Sequence, residues 1–177
     1  MEYFAIILTA LISGGAVLAM AYFFLKSNEK QGNDKGIQLL QAELKKERQK
    51  YFLPNRVEAY QRSLLLMERI SPTNLVMRLN NPGLPARAMQ AELLNAIRQE
   101  YDHNVAQQLF VSPKAWEMVR SSKEETIKII NIAGNTMTAM SLGTELSTKV
   151  LEICGEVGKL PTEITVDFLK EELQGLF

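Results

Sequence analysis

The 177 residues carry 20 Lys plus Arg against 20 Asp plus Glu, a formal net charge of zero, and 46% of them are hydrophobic. No global charge draws the chain to nucleic acid, and its single cysteine, Cys154, excludes an intramolecular disulfide and suits a reducing compartment. Beyond an uncharged N-terminal run and a short linker, about 140 residues remain, enough for one domain with its own core.

The 23 positions from Tyr3 to Leu25, YFAIILTALISGGAVLAMAYFFL, hold no charge. As a helix rising about 1.5 Å per residue they match the roughly 30 Å hydrocarbon core of a bilayer, so a transmembrane anchor is expected over residues 1–26. Ala19-Met20-Ala21 has the form of a signal-peptide cleavage site. Only Met1 and Glu2 precede the apolar run, however, and it continues through Tyr22, Phe23, Phe24 and Leu25, which argues for retention. Lys26, Lys30 and Lys35 follow the run, which places the N-terminus outside and the bulk of the chain in the cytoplasm. Ala10, Ser13, Gly14, Val17 and Ala21 fall within about a 100° arc of this helix, a seam of small residues where another membrane protein or a second copy could pack.

Residues 27–36, SNEKQGNDKG, read as a polar, flexible linker, and a cytoplasmic helical domain is expected over 37–177. Ile37, Leu40, Leu44 and Tyr51 recur at helical spacing among Glu, Lys and Gln, an amphipathic helix too short to establish a coiled coil. Pro54 is expected to end or kink that helix, and Asn55 with Glu58 forms the pattern of a capping box that starts the next. There Val57, Tyr60, Leu64 and Met67 share an apolar face widened by Leu66 and Ile70, with Arg62 and Arg69 on the remaining side. Ser71-Pro72 launches a short helix through Leu79, and Asn80-Asn81-Pro82-Gly83 is a turn.

Pro85 opens a helix whose turns carry Met89, Leu93, Ile97 and Tyr101. Val105 to Val111 fits either the end of that helix or one short strand. Ser112-Pro113 starts another helix, with Trp116, Val119, Ile127, Ile130 and Ala133 on one face, the Lys123 stem lying over it and Gly134 as the C′ residue. After a loop from Asn135 to Gly143, Leu142, Leu146, Val150, Ile153 and Val157 mark a helix. Pro161 begins the last, with Ile164, Phe168, Leu169, Leu173 and Leu176. The fold class is therefore all-α, a multi-helix bundle behind an N-terminal anchor, with one short strand allowed.

Charge is divided along the chain. Lys45 to Arg98 holds ten basic residues and four acids, a net of +6, whereas Gln99 to Phe177 holds seven and twelve, a net of −5. The two halves can neutralise each other within the fold. Alternatively Lys45, Lys46, Arg48, Lys50, Arg62 and Arg69 are candidate contacts for anionic lipid or a partner. No recognition motif or interleaved aromatics accompany them, so no nucleic acid is expected.

Sites of chemistry are sparse in the sequence. The lone His103 adjoins Asp102, but neighbouring helical residues point in different directions and a metal needs several converging ligands, so it reads as a helix-end residue. Glu124-Glu125 and Glu171-Glu172 read as solvated pairs. Cys154 reads as a buried filler. No phosphate-loop, dinucleotide, zincin or C-x-x-C motif is present, and no cofactor, metal or catalytic residue is expected.

At YFLPNRVEAYQR (Tyr51 to Arg62), SPTNLVMRLNNPGLPARAMQAELLNAIRQEYDHNVAQQLFVS (Ser71 to Ser112), AWEMV and KEETIKIIN (within Ala115 to Asn131), the chain resembles a family of uncharacterised single-span proteins from Bacteroidota. The resemblance implies an inner-membrane location and assigns no activity to any residue. The expected function is a non-enzymatic accessory subunit or adaptor of a membrane assembly. Alternatives are a peripheral module for anionic lipid and an enzyme built from scattered polar residues, for which a pocket at Glu100, Asp102 and His103 would speak.

Overall fold

In the computed structural model the backbone is described for residues 2–176, and the side chains for residues 14–26 and 36–176. The chain is all-helical: α1 (Glu2–Ile70), α2 (Pro72–Leu79), α3 (Ala86–Asn104), a 3₁₀ turn (Val105–Leu109), α4 (Pro113–Asn135), α5 (Gly143–Val157) and α6 (Pro161–Gln174). It divides into two compact units, Met1–Phe52 and Leu53–Phe177, with α1 contributing to both.

In the first unit the side chains of residues 14–26 and 37–52 are all exposed, including Val17, Phe23, Leu40 and Tyr51. Among the described residues no helix is long and apolar enough to cross a membrane. Residues 1–13 of the expected anchor, with Ala10 and Ser13 of its seam, lie outside the described side chains. The described remainder, 14–26, is shorter than the roughly 17–25 residues a spanning helix takes. Gly14, Val17 and Ala21 of the seam are exposed. The spacer expected at 27–36 also lies outside the described side chains, save Gly36. Residues 37–52 are all exposed, and the second compact unit comprises Leu53–Phe177.

The second unit is built on the apolar periodicity of its helices. Tyr60, Leu66, Met67 and Ile70 of α1 are at most 1% exposed, and Met89, Leu93 and Ile97 of α3 are fully buried. With Val119, Ile130 and Ala133 of α4 and Leu146 and Val150 of α5 they form one core. Within it α4 packs against α3, α5 and α6, while α2 and α3 both pack against α5. Each fully buried side chain of this size stabilises the fold by roughly 1.5–3 kcal/mol.

Pro54 does not end a helix: α1 runs through it, and no new helix starts at Asn55. Proline removes one i→i−4 bond, and the carbonyl it leaves free belongs to exposed Lys50, where water can satisfy it. Glu58, expected to reach back to the backbone of Asn55, is held instead by Arg62 at 2.8 Å.

Residues Val105 to Val111 form no strand. The N–H groups of Phe110 and Val111 turn back onto the Gln107 carbonyl at 3.0 and 3.3 Å, and Val105 and Leu109 stay exposed where a half-buried strand would alternate. Ser112 caps α4 as its sequence predicts, accepting from the Ala115 N–H at 3.0 Å.

Gly134 is not a C′ residue. It lies inside α4, where the side chain of Gln90 occupies the space a Cβ would need, and Gln90 donates to Asn131 at 3.0 Å. The α2–α3 and α4–α5 connections are stitched together by Ala86 N–H to Ser141 O at 2.9 Å and Gly143 N–H to Leu84 O at 2.7 Å. A Cβ on Gly143 would sit 3.1 and 3.2 Å from the carbonyl oxygens of Asn81 and Leu84, so a side chain here would push these backbones apart by a few tenths of an ångström. Gly158 ends α5 at φ 76°, a left-handed conformation.

On α6 four of the five expected apolar positions face the core, with Leu169 buried and Phe168, Leu173 and Leu176 packed against it, and only Ile164 departs. Ile164 is exposed, and Thr162, Thr165, Val166 and Leu169 are buried. The cause is a polar seam between α4 and α6: Ser122 and Thr165 hydroxyls lie 2.8 Å apart, and Ser122 donates to Pro161 O at 2.9 Å. Glu172 is not a solvated acid either, since it accepts from the Ser112 hydroxyl at 2.9 Å across the same two helices.

Candidate functional site: a charged cleft between α1 and α3

Seven-residue spacing puts Arg62 and Arg69 on one side of α1, two turns apart, and three-residue spacing puts Glu100 and His103 together near the end of α3. Packing of the two helices brings all four into a cleft of about 380 Å³, floored by Leu65 and Leu66 and edged by Glu58, Gln61 and Asn104. Asp102 is exposed and does not line it, because adjacent residues on a helix diverge.

Glu100 is the electrostatic centre of the cleft. Its carboxylate forms an ion pair with the Arg69 guanidinium at 2.8 Å, and the Arg78 guanidinium stands 3.9 Å away. The Glu100 side chain is 16% exposed and that of Arg69 56%, so one partner of this pair is shielded from solvent, whereas in the Arg62–Glu58 pair both are open at 45% and 59%. The arginines are themselves positioned: Arg78 donates to Arg69 O at 3.2 Å, and Asn104, 7% exposed, donates to Glu100 O at 2.8 Å. Arg78 and Asn104 are absent from the sequence-derived candidates. The available signal was the recurrence of arginine across the Ser71-Pro72 break, where α2 doubles back on the end of α1.

The arrangement is a cluster of guanidinium groups and one imidazole around two carboxylates, open to solvent. It is suited to exchanging its own glutamates for an acidic group presented by another molecule, because guanidinium binds any carboxylate or phosphate in the same forked geometry. The other expected contact residues, Lys45, Lys46, Arg48 and Lys50, belong to the first unit and are each exposed. Among the described residues no group of three His, Cys, Asp or Glu side chains gathers as metal ligands would.

A second cavity, about 300 Å³, opens at the first turns of α2 and α6 and is lined by polar groups of Ser71, Thr73, Asn74, Thr162 and Glu163 beside Glu68. Glu163 accepts from the Leu160 N–H at 2.9 Å and Glu68 from the Asn74 amide at 3.3 Å. The Thr162 hydroxyl, fully buried, has no hydrogen-bond partner among the described residues. Cys154 is buried as expected, and burial, together with the Glu163 charge, pushes its thiol above the usual range while a hydrogen bond involving Thr73 partly offsets this. Both burial and the raised thiol disfavour the thiolate that reactivity requires.

No curated protein and no solved structure matches the chain. One family does match, over residues 2–176, which is nearly the full length, so the chain belongs to DUF7935, a family of unknown function.

Proposed function

We propose that this protein is a membrane-tethered, non-enzymatic adaptor, an accessory subunit held by the apolar N-terminal part of α1 and presenting its helical bundle to other proteins from the cytoplasmic side of a bacterial inner membrane. The membrane anchor over residues 1–26, its single-span topology and the placing of such proteins in Bacteroidota belong to this proposal. The observation that carries it is the exposure of Val17, Leu18, Met20, Phe23, Phe24 and Leu25, each at least 67%. Apolar side chains that find no cover within their own chain favour lipid or another protein over water, by roughly 1.5–3 kcal/mol for each one buried. The Arg62, Arg69, Glu100 and His103 cleft supplies the bundle with a charged docking point.

Alkaline carbonate washing of membranes tests the anchor. The wild-type chain stays in the pellet and a Val17→Asp/Phe24→Asp variant is released; a wild-type chain found in the wash overturns the reading. Affinity capture after mild detergent extraction tests the adaptor role: Arg62→Glu/Arg69→Glu should shed a partner that the wild type retains, and a wild-type chain recovered alone and monomeric counts against it.

A second reading, contact of the basic segment with anionic headgroups, is favoured by the exposure of Lys45, Lys46, Arg48 and Lys50 within six residues of one another. It requires that residues 45–50 of the full chain in anionic proteoliposomes be shielded from trypsin at low salt and cleaved at high salt. Equal cleavage in anionic and zwitterionic vesicles removes it.

A further inference from the structure

We infer that residues 37–51 of α1 pair with the same segment of a second copy of this chain, as a short parallel two-stranded coiled coil. The segment is helical, and its apolar stripe, Ile37, Leu40, Leu44 and Tyr51, is 51–76% exposed. Written as heptads, Ile37, Leu44 and Tyr51 occupy a positions and Leu40 and Glu47 occupy d positions, so four of five seam positions are apolar. Leu39 and Phe52 fall outside the seam.

Charge names the occupant. In a parallel pair a g residue faces the e residue five positions on in the other copy. Here g is Glu43 and e is Arg48, both exposed, so two copies in register form two opposite-charge pairs by symmetry. The longest antiparallel register sets Leu44 against Glu47 and Ile37 against Pro54, and the next sets Ile37 against Glu47 and Tyr51 against Asn33, whereas the parallel one matches leucine with leucine and isoleucine with isoleucine. Its one unfavourable layer is Glu47 against Glu47, which weakens the pair and makes it adjustable. A seam of two heptads is short, and its strength, though not its geometry, rests on the proposed anchor, which confines both copies to one surface and raises their effective concentration.

Cysteine cross-linking of the full chain in its native membranes tests this, in a Cys154→Ala background. Disulfide-linked dimers are expected with Ile37→Cys or Leu44→Cys, where Cα atoms of a parallel pair approach closely enough to bridge, and not with Lys45→Cys or Lys46→Cys on the outer face. Glu43→Arg or Arg48→Glu alone should abolish the Leu44→Cys dimer, and the two together should restore it. Glu47→Leu should raise the dimer fraction several-fold. Equal cross-linking on both faces, failure of the double reversal to restore, or Leu44→Cys adducts with a different protein would each overturn the inference. Loss of the dimer from chains that still resist carbonate extraction sinks the pairing and leaves the anchor standing, so the two readings fail separately.

Discussion

Among the described residues of Met1–Phe52 the leucines and aromatics, such as Leu18, Phe23, Leu40 and Tyr51, stand in the open, while in Leu53–Phe177 Tyr60, Leu66, Leu75, Leu93 and Leu146 are at most 1% exposed. The contrast teaches that apolar periodicity makes a side chain available for burial without supplying what buries it. In the second unit six helical segments surround one another, and each stripe has a neighbour. In the first, among the described residues, one helix carries apolar side chains that are left exposed.

Several substitutions would break or sharpen that contrast. The largest effect belongs to the core: Leu93→Ala, at a fully buried position, should cost about 2–5 kcal/mol in urea unfolding of the bundle, and Leu40→Ala, 60% exposed, less than about 0.5. Similar costs at the two sites would mean that residue 40 is part of the same folded body. Next comes Gly143→Ala, which drives a methyl against the Asn81 and Leu84 carbonyls and should cost about 1–3 kcal/mol, with the α2–α3 and α4–α5 connections losing amide-exchange protection first.

Thr162→Val should act in the opposite direction. It replaces a buried hydroxyl lacking a protein partner with a methyl of equal shape, and a gain of about 1 kcal/mol is expected. A loss would show that the cavity between α2 and α6 holds a polar guest bonded to that hydroxyl.

The smallest effect is at Cys154. Its thiol is raised in the folded state, so its contribution to stability is whole below the pH at which the unfolded thiol ionises and declines as pH rises toward the folded value. Alkylation by iodoacetamide should therefore be slow at neutral pH and should accelerate only with denaturant. Rapid labelling of the native chain would place the thiol at the surface.

Helix starts were legible because they depend on local chemistry. Ser71-Pro72, Ser112-Pro113 and Pro161 each sit where a helix begins, since the first turn has no use for a proline N–H. The inward faces of α1 past Leu53, α3, α4 and most of α5 were legible from spacing, and so was the burial of Cys154. Pro54 does not end α1, because the carbonyl it leaves free lies on an exposed side where water can satisfy it, which a rule about proline does not register. Ile164 and Gly134 misled because a hydroxyl pair on the α4–α6 seam and a glutamine from α3 decided which atoms lie next to them.

By itself the sequence determined that the chain is all helix, where most of its helices begin, and which residues are available for its core, since these depend on contacts within a few residues. Only the tertiary structure decided that Arg62 and Arg69 meet Glu100 and His103 while Asp102 turns away, and that Glu172 serves Ser112 across two helices. Those pairings join positions some 30 to 60 residues apart, and the register of one helix against another is set by the packing of whole faces, which no local spacing encodes.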